Sequence, residues 1–154
     1  MTAHRVRFTL NGAPHDVTVP AERLLVDLLR EDLGQTGTKD GCSVGVCGLC
    51  TVEVDGMPMS ACLLLATQIG GTALRTIEGL AAGGRLTPLQ EAFIEEGGFQ
   101  CGICTSGQLV SATALLAANP HPTDDEVTAA MLGNLCRCTG YYGIARAIAK
   151  AKPA

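Results

Sequence analysis

The sequence predicts an α+β fold in two parts, a strand-rich first half built around one helix and an all-α second half. Three observations lead there. Two short strand-like runs each meet a two-residue turn, Asn11-Gly12 and Asp55-Gly56. Leucines at helical spacing sit between those hairpins, at 24, 25, 28 and 29. From Thr87 onward, apolar runs follow repeated helix-start signals.

The elements follow in order. Residues 4–10 alternate, with Val6, Phe8 and Leu10 on one face. Asn-Gly supports φ > 0 at both central turn positions, so residues 16–19 are predicted to return as the second strand. Leu24, Leu25, Leu28 and Leu29 predict a helix over 23–31, ended by Gly34 and Gly37. Residues 40–50 form a loop crowded with Gly and Cys, and a second hairpin turns at Asp55-Gly56. Strand-strand-helix-strand-strand is the order of a β-grasp sheet cradling one helix. Residues 70–86 read as a connector, broken by Gly70-Gly71, Gly79 and Gly83-Gly84.

Thr87-Pro88-Leu89-Gln90 combines an N-cap, a first-turn proline and a capping-box glutamine. Thr105-Ser106-Gly107-Gln108 repeats the Thr-x-x-Gln pattern before the apolar run 109–118, which Asn119-Pro120-His121-Pro122 stops. Thr123-Asp124-Asp125-Glu126 opens a third helix through Met131. Residues 143–152 form the last, with Ile144, Ala147 and Ile148 at core spacing and basic residues at the end the dipole favours. Four short helices predict an all-α four-helix bundle. The expected domains are residues 1–77 and 78–154.

Composition narrows the function. A net charge of −4 argues against nucleic acid, whose phosphates need a basic patch. No stretch is long and apolar enough to predict a membrane helix. The N-terminal residues have no apolar signal core, so a reducing, cytoplasmic setting is expected. There, eight cysteines read as metal ligands or redox groups rather than bridges.

Those cysteines form two groups. Cys42, Cys47 and Cys50 have the C-x4-C-x2-C spacing of a plant-type [2Fe–2S] loop, with Cys62 further on. Gly41, Gly45 and Gly48 lie among them and permit the sharp turns that aim amides at the sulfurs. Two ferric ions, two sulfides and four thiolates leave a net charge of about −2, which such donors stabilise. The second group is Cys101-x2-Cys104 and Cys136-x-Cys138. Cys104 directly precedes a predicted helix start, where partial positive charge favours an anion. Arg137, between two of these cysteines, has two readings: a charge offset, or a solvated or partner-facing side chain. Structural zinc, disulfides and a thioredoxin-type pair compete. The x4 gap and the C-x-C pair fit zinc ribbons poorly, and a lone redox pair leaves six cysteines unexplained.

Three segments, KDGCSVGVCGLCTV (39–52), FQCGICTSGQ (99–108) and GNLCRCTGY (133–141), resemble the iron–sulfur small subunit of the xanthine oxidase family of molybdenum hydroxylases. The resemblance spans nearly the whole chain. It implies a plant-type ferredoxin domain followed by a helical [2Fe–2S] domain. By that resemblance Cys42, Cys47, Cys50 and Cys62 hold the cluster facing a flavin, and Cys101, Cys104, Cys136 and Cys138 the one nearer molybdenum. It also implies that Gln100 hydrogen-bonds molybdopterin and that Cys138 lies against the pterin; a backbone-bonded polar side chain is the other reading of Gln100.

The family usually has proline where this chain has Ser106, a difference that suits a helix start equally and adds a donor near the second cluster. The family's chemistry implies hydroxylation on a separate molybdopterin-binding large subunit, with electrons leaving singly through this chain to FAD on a medium subunit or to another acceptor, in a dimer of heterotrimers. Tyr141 and Tyr142 read as interface or core residues. A free-standing ferredoxin and a zinc-bound interaction module are the alternatives of other classes.

Overall fold

The structure, a computed structural model, describes residues 3–81 and 83–151. β1 (Ala3–Leu10) and β2 (Ala13–Pro20) form an antiparallel hairpin in which Leu10 faces Ala13. Asn11 and Gly12 take φ values of 51° and 83°, as a type I′ turn demands. Val6, Phe8 and Leu10 all point into the core. The predicted helix is one α-helical turn, α1 (Leu25–Asp27), running into a wider π-helical turn, Leu28–Asp32. There Leu33 N donates to Leu28 O, five residues back, at 3.0 Å. Leu25, Leu28 and Leu29 are fully buried against the sheet core.

β3 (Thr51–Val54) and β4 (Met57–Ser60) make the second hairpin. The fifth strand, β5 (Ala73–Arg75), lies in what reads as connector. It runs parallel to β1 and antiparallel to β3, giving the order β2-β1-β5-β3-β4. Three residues after a Gly-Gly pair are too few to show a period, yet they join the two hairpins into one sheet.

In the second half, α2 (Pro88–Glu95) and α4 (Asp124–Met131) start on the capping boxes of Thr87 and Thr123. α5 (Tyr142–Lys150) buries Ile144, Ala147 and Ile148. α3 (Thr105–Ala118) starts differently. Cys104 is its N-cap, Thr105 is its first residue, and the Gln108 side chain leaves the helix for Asn134. The Thr-x-x-Gln pattern at 105 is therefore not a capping box.

The expectation of an all-α four-helix-bundle domain is overturned. The described chain is mixed α/β, one five-stranded sheet with five helices, and no bundle stands apart from the sheet. The reason lies in α3. Gly107 through Ala112 are buried without a break, together with Ala114, so this helix has no solvent face over that stretch. It packs on β3 and β4 as well as on α2 and α4. A helix buried all round belongs to both layers, and an unbroken apolar run cannot reveal that in sequence.

Two apolar cores result, one under the sheet and one among the helices. Between them lies a seam where backbones nearly touch. A methyl group on Gly107 would sit 2.1 Å from Gly48 O. Alanine at 107 gains about 1 kcal/mol in helix propensity, but a backbone carbonyl cannot swing aside, and overpacking costs about 1–3 kcal/mol. Gly107→Ala is expected to lower the denaturation midpoint; a rise would show that the seam yields.

Candidate metal centres

The first four cysteines converge from two places. Cys42, Cys47 and Cys50 come from the loop that enters β3, and Cys62 from the 3-10 turn Ala61–Leu63 after β4. Cys47, Cys50 and Cys62 are buried and Cys42 is half-buried. Their thiols meet in two close pairs, Cys42 with Cys47 and Cys50 with Cys62, and the pairs lie close enough to feel each other's charge. The Val44 amide is the strongest influence on Cys42. With the Cys47 thiol and the amides of Cys47 and Val46, it draws the Cys42 thiol down to about 6. Burial pushes Cys50 up to about 12 and raises Cys47 against the pull of the Leu49 amide. Ser43 at φ 53° and Gly45 at φ 74° bend this loop so that successive amides face inward.

The second four frame the start of α3 and the end of α4. The Cys138 and Cys101 sulfurs lie 3.6 Å apart, and Cys104 pairs with Cys136. Burial, then the Cys136 thiol, pushes Cys104 up to about 12. Cys136 is pushed up by burial, but the Thr139 hydroxyl and the amides of Thr139 and Cys138 outweigh it and hold the thiol below its ordinary value. The Cys101 thiol raises Cys138. Cys101 and Cys138 are exposed.

The donor sets test what such sites would hold. All eight cysteines are free thiols. Each quartet is made of sulfur alone and divides into two close pairs, one pair for each of two irons. Sulfur pairs with amides aimed at them fit a [2Fe–2S] cluster at each quartet. Thiols raised to about 12 give up their protons when a metal takes their place.

The quartets are joined across the seam. Leu135 N donates to Cys47 O at 2.8 Å. Asn134, 4% exposed, donates from Nδ2 to Gly48 O at 2.9 Å and to Thr51 Oγ1 at 3.2 Å. Its own carbonyl accepts from Gln108 Nε2 at 2.6 Å. Gly48 sits at φ 69°, and a side chain there would meet Gly133 O at 2.1 Å. Asn134 reads in sequence only as a helix end, and Gln108 only as a cap. Both lie inside the cysteine motifs, the one signal that could have marked them.

Gln100 is exposed, and its Nε2 donates to Cys138 O at 3.1 Å, so the two residues share one surface edge. Arg137 is exposed. The Ser106 hydroxyl is buried without a protein partner, so none of the cysteine sulfurs receives it. Tyr141 heads α5 at φ 69°, and its hydroxyl accepts the Cys136 amide at 2.9 Å, a role neither sequence reading includes; Tyr142 is 77% exposed.

Comparison with known proteins adds to this geometry. Residues 8–72 match the family described as "2Fe-2S iron-sulfur cluster binding domain", and residues 76–149 the family "[2Fe-2S] binding domain". The nicotinate dehydrogenase small FeS subunit of Eubacterium barkeri is 48% identical over 143 residues, covering 93% of this chain and 91% of that protein. The chain belongs to the iron–sulfur small subunits of the xanthine oxidase family. The nicotine 6-hydroxylase small subunit of Paenarthrobacter nicotinovorans, 52% identical over 90% of this chain and 84% of its own length, is another relative in this small-subunit family. Quinoline 2-oxidoreductase from Pseudomonas putida 86 contains the same fold, with a TM-score of 0.93 and 49% identity over 96% of this chain and 91% of that one. The two family matches thus divide this chain into two [2Fe–2S] domains, with one cysteine quartet in each.

Asn134→Ala tests the join between them. It removes two buried hydrogen bonds across the seam, each worth about 0.5–1.5 kcal/mol, while Gly48 O keeps the Thr51 hydroxyl and amide. A clearly lowered thermal midpoint of the cluster-loaded chain is expected, and an unchanged one would mean that the seam adds nothing to stability.

Proposed function

We propose that this chain relays single electrons from molybdopterin on a large partner subunit, through two [2Fe–2S] clusters, to FAD or another acceptor. The observation that carries the reading is the direct link between the quartets: Leu135, one residue before Cys136, donates its amide to the carbonyl of Cys47. When bound, the two clusters supply the one-electron carriers.

In this reading Cys42, Cys47, Cys50 and Cys62 hold the first cluster, and Cys101, Cys104, Cys136 and Cys138 the second. The boundary at 77/78 assigns one quartet to each domain, supported by separate family matches and separate apolar cores. The amides of Val44, Val46 and Cys47 offset charge at Cys42. The exposed edge shared by Gln100 and Cys138 faces the pterin, with Gln100 held by the Cys138 carbonyl and its Oε1 left for the cofactor. Phe99 and Ile103, both exposed, lie on the same loop and suit burial against the large subunit. At the first quartet, Val44 and Val46 are exposed and suit an acceptor subunit that carries a flavin. The assembly is a dimer of heterotrimers in the cytoplasm. No helix among the described residues is long and apolar enough to cross a membrane.

Two measurements test this. Anaerobically prepared chain is expected to hold about four irons and four acid-labile sulfides. Cys50→Ser should then remove one reduced-state paramagnetic signal and Cys104→Ser the other. Loss of the same signal in both variants, or of neither, would refute the assignment. Purification from the native source should bring down a molybdenum-containing chain; an isolated red-brown monomer would favour a free-standing ferredoxin.

A further inference from the structure

The sulfur of Cys136 has surroundings unlike those of the other seven. Thr139 Oγ1 lies 3.1 Å from it, and the Thr139 amide donates to it at 3.4 Å. Among the described residues no other cysteine sulfur pairs with a hydroxyl. The direction of the hydroxyl contact follows from its neighbours. Tyr141 N donates to the same Thr139 oxygen at 3.1 Å. That oxygen therefore accepts from Tyr141 and keeps its own proton to give. An iron-bound thiolate carries no proton and can only accept. With Cys136 as an iron-bound thiolate, Thr139 Oγ1 would be the donor of this contact.

The chain holds this arrangement at some conformational cost. Tyr141 occupies the left-handed region at φ 69°, unusual for a bulky side chain. The same residue accepts the Cys136 amide on its phenol oxygen at 2.9 Å. One residue thereby supplies the amide that orients Thr139 and the oxygen that anchors the ligand's backbone. The contact between Thr139 and Cys136 is partly buried, which shields it from competing water.

We propose that Thr139 sets the reduction potential of the second cluster by donating its hydroxyl proton to Cys136 Sγ. The proposal rests on the reading of Cys136 as an iron ligand. Reduction adds one negative charge, part of which falls on the ligand sulfurs. A donor aimed at one of them stabilises the reduced state more than the oxidised and raises the potential. The first cluster, whose sulfurs face backbone amides and one another, lacks this device.

The test is a redox titration of the full chain carrying both clusters, followed by paramagnetic resonance, in wild type, Thr139→Val and Thr139→Ser. In Thr139→Val the reduced-to-oxidised ratio of the second cluster at a fixed ambient potential should fall about tenfold, a downward shift of about 59 mV for a one-electron couple. The first cluster should not move, and Thr139→Ser should keep the wild-type potential. Two clusters at wild-type potentials in Thr139→Val would overturn the proposal. So would loss of the second cluster in both Thr139→Val and Thr139→Ala, since the hydroxyl would then serve assembly. Failure of the underlying reading looks different: Cys136→Ser would leave both signals unaltered.

Discussion

Anionic sulfur cannot be gathered inside a protein unless something of opposite polarity is aimed at it. Four thiolates within reach of one another repel, and burial alone pushes thiols such as Cys50 and Cys104 toward the protonated form. The local architecture answers this constraint. The loop before β3 takes positive φ at Ser43, Gly45 and Gly48 so that amides face the sulfurs. Cys104 caps α3, where free N–H groups gather. The loop after α4 supplies amides and a hydroxyl to Cys136. Metal then completes what the donors begin, by replacing the protons.

The second requirement is proximity. An electron relay needs its carriers close and fixed, and the seam between the two halves meets that need with few side chains. Glycines at 48 and 107 let backbone approach backbone, while Asn134, its own backbone held by Gln108, bonds across the gap. These polar side chains are buried, so each cysteine loop is positioned by the other. This makes the helices part of one structure with the sheet rather than a separate bundle.

Much of this was legible in the sequence. The hairpin turns, the buried leucines of the first helix, the Thr87 and Thr123 caps and the core face of α5 follow from local rules that tertiary contacts did not override. The grouping of the cysteines into two quartets follows from spacing together with motif resemblance. Other features were hidden. β5 owes its existence to the strands on either side, not to its three residues. Thr105 carries a cap pattern, but Gln108 gains more from a buried carbonyl than from a helix end. Tyr141, read as interface or core, also holds the backbone of Cys136.

The sequence by itself determined which residue types line the centres and where the chain must turn, because thiol spacing, Gly and Asn turns and capping residues act within a few positions of one another. Only the tertiary structure decided how the two halves unite, which sulfurs pair, and which hydroxyl reaches Cys136. Those outcomes depend largely on contacts between segments far apart in the chain, such as Gly48 with Gly107 and Cys47 with Leu135, and no local pattern encodes a distance across a seam.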